Sequence, residues 1–148
     1  MPAVRRTPFM ELVWRFHRWA YQATGGRLGG RMMGMPVLLL TTTGRKSGVP
    51  RTNALMYLPE GRGCVVIASN AGEPRHPGWW LNLQAKPRAT VQRGREVTPV
   101  VAREAGGEER ARLWAKLVEI QPSYEVYRQR TARRIPVVVL EPAAQAKP

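Results

Sequence analysis

A chain of 148 residues, 43% hydrophobic and 23% charged, is long enough for one ordinary domain and too short for two, and its composition excludes the charge-rich, aromatic-poor profile of a disordered chain. Lysine and arginine outnumber acidic residues 24 to 10, giving a formal net charge of +14 that favours anionic partners (nucleic acid, acidic lipid or a phosphorylated ligand) without choosing among them. The single cysteine, Cys64, excludes an internal disulfide and a cysteine-rich metal site, and His17 and His76 lack ligand-like spacing, so no metal is expected.

The opening RRTPFM is followed by Glu11, Arg15, His17 and Arg18, which interrupt any apolar stretch and argue against an export signal. No run approaches the roughly 18 residues of a membrane span, so a cytoplasmic protein is expected. Over residues 9–23, Phe9, Leu12, Val13, Phe16, Trp19, Ala20 and Ala23 recur at spacings of three and four, the period of an amphipathic helix with a basic opposite face. Such a helix either packs on the domain core, touches a membrane surface as a peripheral contact, or forms part of a substrate channel. Glycines 25, 26, 29, 30 and 34 make a flexible connection, so residues 1–35 are expected to precede a domain over 36–142, with 143–148 as a frayed tail.

Within the domain, VLLLTTT, RTNALMYL and CVVIAS read as three strands joined by the basic turn GRKSGVP and by PEGRG, an antiparallel meander. A loop and one or two helical turns, WWLNLQA, follow. RATVQRG and REVTPVVARE are two further strands meeting at Gly94. Residues 107–120 form a helix with acidic residues near its start and Leu113, Leu117 and Ile120 on one face. SYEVYRQRTA is a shorter helix with Ser123 as N-cap, and IPVVVLEP is the last strand. Six mostly antiparallel strands with helices between them predict an α+β fold built on a small β-barrel or strongly curled sheet.

Four stretches carry candidate chemistry. In TTTGRKSGVPR, Arg45, Lys46 and Arg51 bring three positive charges within seven residues, while Gly44 and Gly48 let the backbone approach a ligand and Thr43 and Ser47 offer hydroxyls. The spacing of a nucleotide P-loop is missing. The turn fits either a phosphate grip or a hairpin whose charges keep an edge soluble. At the end of a strand, IASNAG sets Ser69 and Asn70 where a flat ligand is often lined, or where a turn uses Asn and Gly for backbone tolerance. In PGWWLNL the adjacent Trp79 and Trp80 are expected to face apart, one anchoring the core and the other bordering a ring-shaped ligand. In PSYEVY, Tyr124 and Tyr127 share a helical face and could donate hydrogen bonds or a proton, or simply cap a core. No Ser/His/Asp set, carboxylate pair or metal cluster can be assembled, which disfavours hydrolysis and suits a cofactor that carries the difficult chemistry itself.

Taken in order, LLLTTTGRKSGVPRTNALMYL, VVIASNAGEPRHPGWWLNLQAKPRATVQ and PSYEVYRQRTARRIPVVVLEP resemble the deazaflavin-dependent nitroreductase and quinone reductase family, whose members use coenzyme F-420. The resemblance spans residues 36–142. It implies a split β-barrel of the FMN-binding kind, with the phosphate and polyglutamate tail of the coenzyme over the basic turn. Arg45, Lys46, Ser47 and Arg51 would grip that anionic end, and Thr52, Asn53, Ala54, Leu55 and Met56 would run along the coenzyme. Ile67, Ala68, Ser69 and Asn70, with Gly78, Trp79, Trp80, Leu81 and Asn82, would flank its ring system. Ser69, Tyr124 and Tyr127 would act as the catalytic residues on the acceptor side. The implied reaction is hydride transfer from the reduced deazaflavin to an electron-poor small molecule such as a quinone, an activated enone or a nitro compound, by a monomer or homodimer. Departures at Asn70, where the family's nitroreductase has lysine, and at Met56 and Gln121, where it has tyrosines, turn the expectation away from nitroimidazoles. Other readings are an FMN-dependent reductase on the same barrel, a non-redox binder of lipid surfaces, and a nucleic-acid module; the basic residues are too scattered for the last, so no nucleic acid is expected.

Overall fold

The computed structural model describes Leu12, Arg15, Phe16, Arg18, Trp19, Arg31, Met32 and residues 35–144. In chain order its elements are β1 (Arg31–Met32), β2 (Met35–Thr43), β3 (Pro50–Met56), β4 (Leu58–Glu60), β5 (Gly63–Ile67), a 3₁₀ turn (Asn70–Gly72), α1 (Gly78–Ala85), β6 (Arg88–Arg93), β7 (Glu96–Glu104), α2 (Gly107–Ile120), α3 (Ser123–Arg130) and β8 (Val137–Pro142). The helix expected over residues 9–23 lies largely outside the described residues. Of those described there, Leu12, Phe16 and Trp19 are exposed, with the rings of Phe16 and Trp19 5.9 Å apart.

All the strand pairings are antiparallel. From β2 the sheet runs β2-β6-β7-β8-β5-β4, and β3 pairs with β2. The run 50–60 therefore supplies both ends of the sheet: its first part lies on β2, its last part on β5. Only a curled sheet can bring those two ends together, which makes this an α+β fold around a curled antiparallel half-barrel.

The expected meander is corrected here. RTNALMYL is not one strand between its sequence neighbours; it divides at Tyr57, and β5 pairs with β4 and β8 rather than with β3. The cause is Pro36. Tyr57 donates its N–H to the Pro36 carbonyl at 3.1 Å, but proline has no N–H to return, so the ladder ends at Val37–Met56 and the chain turns away.

Two apolar layers follow from strand alternation. Inside the curl, Leu38 and Leu40 of β2, Cys64 and Val66 of β5, Val91, Val100, Val138 and Leu140 pack with Trp79, Trp80 and Leu83 of α1. On the outer face, Val65 and Ile67 of β5 and Val137 and Val139 of β8 are covered by Leu113 and Leu117 of α2 and Tyr124 of α3. Leu113 and Leu117 are one turn apart and both fully buried, each contributing about 2–3 kcal/mol of apolar burial. Burial in the first layer pushes the Cys64 thiol up to about 11, so it stays protonated and inert.

Three local expectations are also revised. Both tryptophans are 5% exposed in the same layer, so neither borders open space. Adjacent helical residues stand only about 100° apart, and a broad apolar stripe accommodates positions 79, 80 and 83 together. Ser123 is the first residue of α3 rather than its cap: Pro122 takes the N-cap position, and the buried Ser123 hydroxyl has no partner among the described residues. The tail is tethered at its start, since Ala143 donates to the Pro99 carbonyl at 2.8 Å; residues 145–148 lie outside the described residues.

Candidate active site

The β2–β3 hairpin closes with a six-residue loop, Gly44 to Val49, between the last register pair Thr43–Pro50. Gly44 donates to the Val49 carbonyl at 2.9 Å, Gly48 returns to the Gly44 carbonyl at 2.8 Å, and Val49 donates to Ser47 Oγ at 3.1 Å. A Cβ at Gly44 would lie 2.7 Å from Ser47 Oγ and 3.0 Å from the Val49 carbonyl oxygen, so only glycine allows this fold-back. Gly48, at φ +72°, meets the second steric demand of the turn. Arg45, Lys46, Ser47 and Arg51 are all exposed. Among the described residues none of the three cations pairs with a carboxylate, whereas Arg103, Arg112, Arg128 and Arg134 each pair with a glutamate.

Asn82 fixes this loop to α1. Its Oδ1 accepts from the Arg45 N–H at 3.1 Å and from Arg45 Nη1 at 3.0 Å, while its Nδ2 donates to Thr42 Oγ1 at 3.1 Å. Asn82 is 5% exposed, so the sequence expectation of a residue beside a ring gives way to a buried pin that orients the cationic loop. One turn earlier, the N-terminus of α1 at Gly78 carries no capping side chain, which leaves its positive dipole end unscreened. Trp79 and Trp80 hold α1 against the inner layer and Leu81 is half-buried. Along β3, residues 52–56 are half-buried; β3 pairs with β2 alone among the described residues. Leu55 faces the inner layer, while Ala54 and Met56 face outward against Val37 and Leu39. Thr52 bonds Thr41 across the ladder, hydroxyl to hydroxyl at 2.8 Å.

The second half of the site is the turn that leaves β5. Ile67 packs with Tyr124 in the outer layer and Ala68 with the tryptophans in the inner one, so Ser69 emerges where the two layers part. Asn70 and Ala71 adopt φ of +47° and +55°, left-handed values that non-glycine residues seldom take. The Asn70 amide donates to the Arg75 carbonyl at 3.0 Å and to Glu73 Oε2 at 3.4 Å, so it is spent within its own loop. Gly72 lies under α3: a Cβ there would sit 2.9 Å from the Tyr127 carbonyl oxygen. This packing brings the Ser69 turn to Tyr127. The rings of Tyr124 and Tyr127 meet edge to face at 6.4 Å. Tyr124 is buried, and burial first, then the neighbouring Tyr127, pushes its phenol up to about 12. It can donate a hydrogen bond but keeps its proton at neutral pH.

Arg133 was not singled out by sequence reasoning, and it organises this turn. Its Nη2 donates to the Ser69 carbonyl at 2.8 Å, Nη1 to the Ala68 carbonyl at 3.2 Å and Nε to the Glu73 carbonyl at 3.0 Å; Nη1 also lies 3.1 Å from His76 Nδ1. Since arginine only donates, His76 accepts as the neutral ring protonated at Nε2. Burial first, then the charge of Arg133, hold His76 below its ordinary pKa near 6.5, with Glu104 opposing. The unfolded chain therefore takes up this proton first. The His76 contribution is full above about pH 6.5 and is lost as pH falls below that value through the lower pKa of the folded state. Melting temperatures measured from about pH 7 down to about pH 5 should fall less steeply in His76→Gln than in the parent chain.

No group of three potential metal ligands occurs among the described residues, nor is any described helix long and apolar enough to cross a membrane. The profile of the F420H(2)-dependent quinone reductase family matches residues 13–142. A protein of that name from Mycobacterium tuberculosis is 42% identical over 130 residues, covering 85% of this chain and 87% of the relative. The solved structure of the F420-H2-dependent reductase FDR-A is similar with a TM-score of 0.66 and 44% identity, over 72% of this chain and 94% of that one. A structure described as a domain-swapped dimer matches with a TM-score of 0.69 and 38% identity, over 91% of this chain and all of that one. The chain thus belongs to the F420H(2)-dependent quinone reductase family, oxidoreductases whose cofactor is coenzyme F-420.

Proposed function

We propose that this oxidoreductase carries hydride from reduced coenzyme F-420 to a quinone, on a half-barrel of the split, flavin-binding kind. The observation that carries the assignment is the loop Gly44 to Val49 with Arg51 beside it: three cations without carboxylate partners among the described residues, one of them, Arg45, held by the buried amide of Asn82. A loop that only kept an edge soluble would need no such pin. Exposed guanidinium and ammonium groups and the uncapped start of α1 fit an anionic phosphate and glutamate tail.

Arg45, Lys46, Ser47 and Arg51 then bind the anionic end, with Lys46 and Arg51 as the mobile donors and Arg45 as the fixed one. The half-buried strand from Thr52 to Met56 supplies a flat edge for the body of the coenzyme. Ile67 and Ala68 and the segment 78–82 flank the ring system, the latter chiefly through backbone because Trp79, Trp80 and Asn82 are committed to packing and to the pin, while the turn from Ser69 onward faces the acceptor. When bound, the reduced deazaflavin supplies a hydride from C5. Ser69 and Tyr127 orient the acceptor, backed by Tyr124, and a tyrosine or solvent supplies the proton that completes the reduction.

Titration of the purified chain with coenzyme F-420 tests this reading. Quenching of the deazaflavin or tryptophan fluorescence with micromolar affinity, weakening as salt is raised, is the expected result. A chain that stays unquenched at micromolar coenzyme removes the groove assignment.

A further inference from the structure

The Ser69 turn has a geometry that the preceding assignment leaves unused. Ser69 is right-handed, at φ −76° and ψ −32°, and Asn70 and Ala71 follow with positive φ. A right-handed residue followed by a left-handed one turns successive backbone N–H groups toward a single concavity, the arrangement that binds oxygen atoms bearing negative charge. The N–H groups of Ser69, Asn70 and Ala71 donate to no protein acceptor among the described residues, although Gly72 and Glu73, next in the chain, donate to the Ser69 and Asn70 carbonyls. Two consecutive non-glycine residues in the left-handed region cost roughly 1–3 kcal/mol each, so something must hold the turn in place.

Arg133 is what holds it. β5 ends its ladder at Ile67–Val137, and the two carbonyls that follow, Ala68 and Ser69, both point to the Arg133 guanidinium. Arg133 also takes the Glu73 carbonyl on the far side of the turn. With its carbonyls drawn to one side, the turn presents its free N–H groups on another. Glu73 Oε2 lies 3.4 Å from the Asn70 amide, and this carboxylate disfavours a full anion such as phosphate. An oxygen that is neutral on arrival and gains charge during reaction suits the concavity better.

We propose that Arg133 is a positioning residue for the reaction: by binding the Ala68 and Ser69 carbonyls it sets the N–H groups of Ser69, Asn70 and Ala71 as an oxygen-binding nest for the quinone acceptor. This rests on the reading that places the Ser69 turn on the acceptor side. In the reduction the quinone gains two electrons and one proton as hydride, the deazaflavin is oxidised by the same amount, and the negative charge resides on a quinone oxygen until a proton from a tyrosine or solvent neutralises it. The nest stabilises that oxygen more in the transition state than in the bound quinone, which raises turnover.

The test compares the parent chain with Arg133→Gln and Arg133→Lys, at saturating coenzyme F-420, on two acceptors. Menadione develops charge on oxygen. N-methylphenazinium takes a hydride, becomes neutral and has no oxygen. Misplacing the nest donors should lower kcat/KM for menadione by about thirtyfold in Arg133→Gln and about tenfold in Arg133→Lys, which keeps the charge but loses the planar fork. Rates with N-methylphenazinium, and the coenzyme Kd read by fluorescence, should stay within about twofold of the parent. An equal fall on both acceptors, or no fall on either, with an unchanged coenzyme Kd, overturns the positioning role alone. A weakened coenzyme Kd with an unchanged acceptor ratio instead puts the turn on the coenzyme side and removes the reading beneath it. Should Arg133→Gln fail to fold, the lysine variant carries the same comparison.

Discussion

Changing Lys46 and Arg51 together to glutamine is expected to weaken coenzyme F-420 binding roughly hundredfold while moving the melting temperature by no more than about 2 °C. The two expectations separate because both side chains are exposed and, among the described residues, unpaired with carboxylates, so the fold gains little from their charge. A charge-assisted bond to a phosphate or carboxylate contributes about 1.5–3 kcal/mol when sheltered, and solvent screening at an open loop reduces it to about 1.4 kcal/mol, or tenfold per cation. Fluorescence titration at low and high salt checks the origin of the loss. The parent affinity should decline as salt rises, and that of the double variant should decline less steeply, since Arg45 alone of the three cations remains to be screened. Retained affinity in the double variant would return the loop to a role in solubility.

The cationic loop is legible in the sequence because the information is local: glycines, cations and a hydroxyl within eight residues announce a loop that can approach an anion. Strand identity was legible for the same reason. VLLL, CVVI and VVVL are continuous apolar runs, and all three become buried strands. What escaped was long-range. That Tyr57 ends one ladder depends on Pro36 lying opposite it, a register that no local pattern records. Arg133 is one arginine of many in a basic chain, and its three carbonyl partners stand 60 to 65 residues away. The shared burial of the tryptophan pair escapes a local reading too, because neighbours on a helix stand about 100° apart rather than alternating as on a strand.

The Ser69 turn shows the same division. IASNAG announced a turn by composition, yet its left-handed residues are Asn70 and Ala71 as well as Gly72, and alanine gives no warning of a positive φ. The strain is held from outside, by Arg133 in the segment leading to β8 and by α3 packed over Gly72. The second of these contacts also joins the turn to Tyr127. Thus the Ser69 turn depends on elements distant in sequence, and the cationic loop on one hairpin and one helix.

Asn82 joins hairpin and helix, and its replacement should have the largest effect on stability. Asn82→Leu fills a similar volume but leaves the buried Thr42 hydroxyl and the Arg45 N–H without their partner, at an expected cost of about 3 kcal/mol, or roughly 6–12 °C in melting temperature. Asn82→Asp separates the pin from its neighbourhood. Its carboxylate still accepts from both Arg45 donors, and the Thr42 hydroxyl can turn to donate to it, so the melting temperature should fall by no more than about 3 °C. The added negative charge, however, would sit within hydrogen-bonding distance of Arg45 and neutralise one cation of the loop. Coenzyme F-420 should bind this variant about tenfold more weakly at low salt, with the gap narrowing as salt is raised, because the new repulsion is screened along with the attraction. Folded Asn82→Asp that binds the coenzyme as tightly as the parent would mean that the anionic end lies away from Arg45. If instead affinity falls in Asn82→Asp while the melting temperature holds, the pin can be altered without unfolding the loop, and the loss of binding reports on the charge beside Arg45.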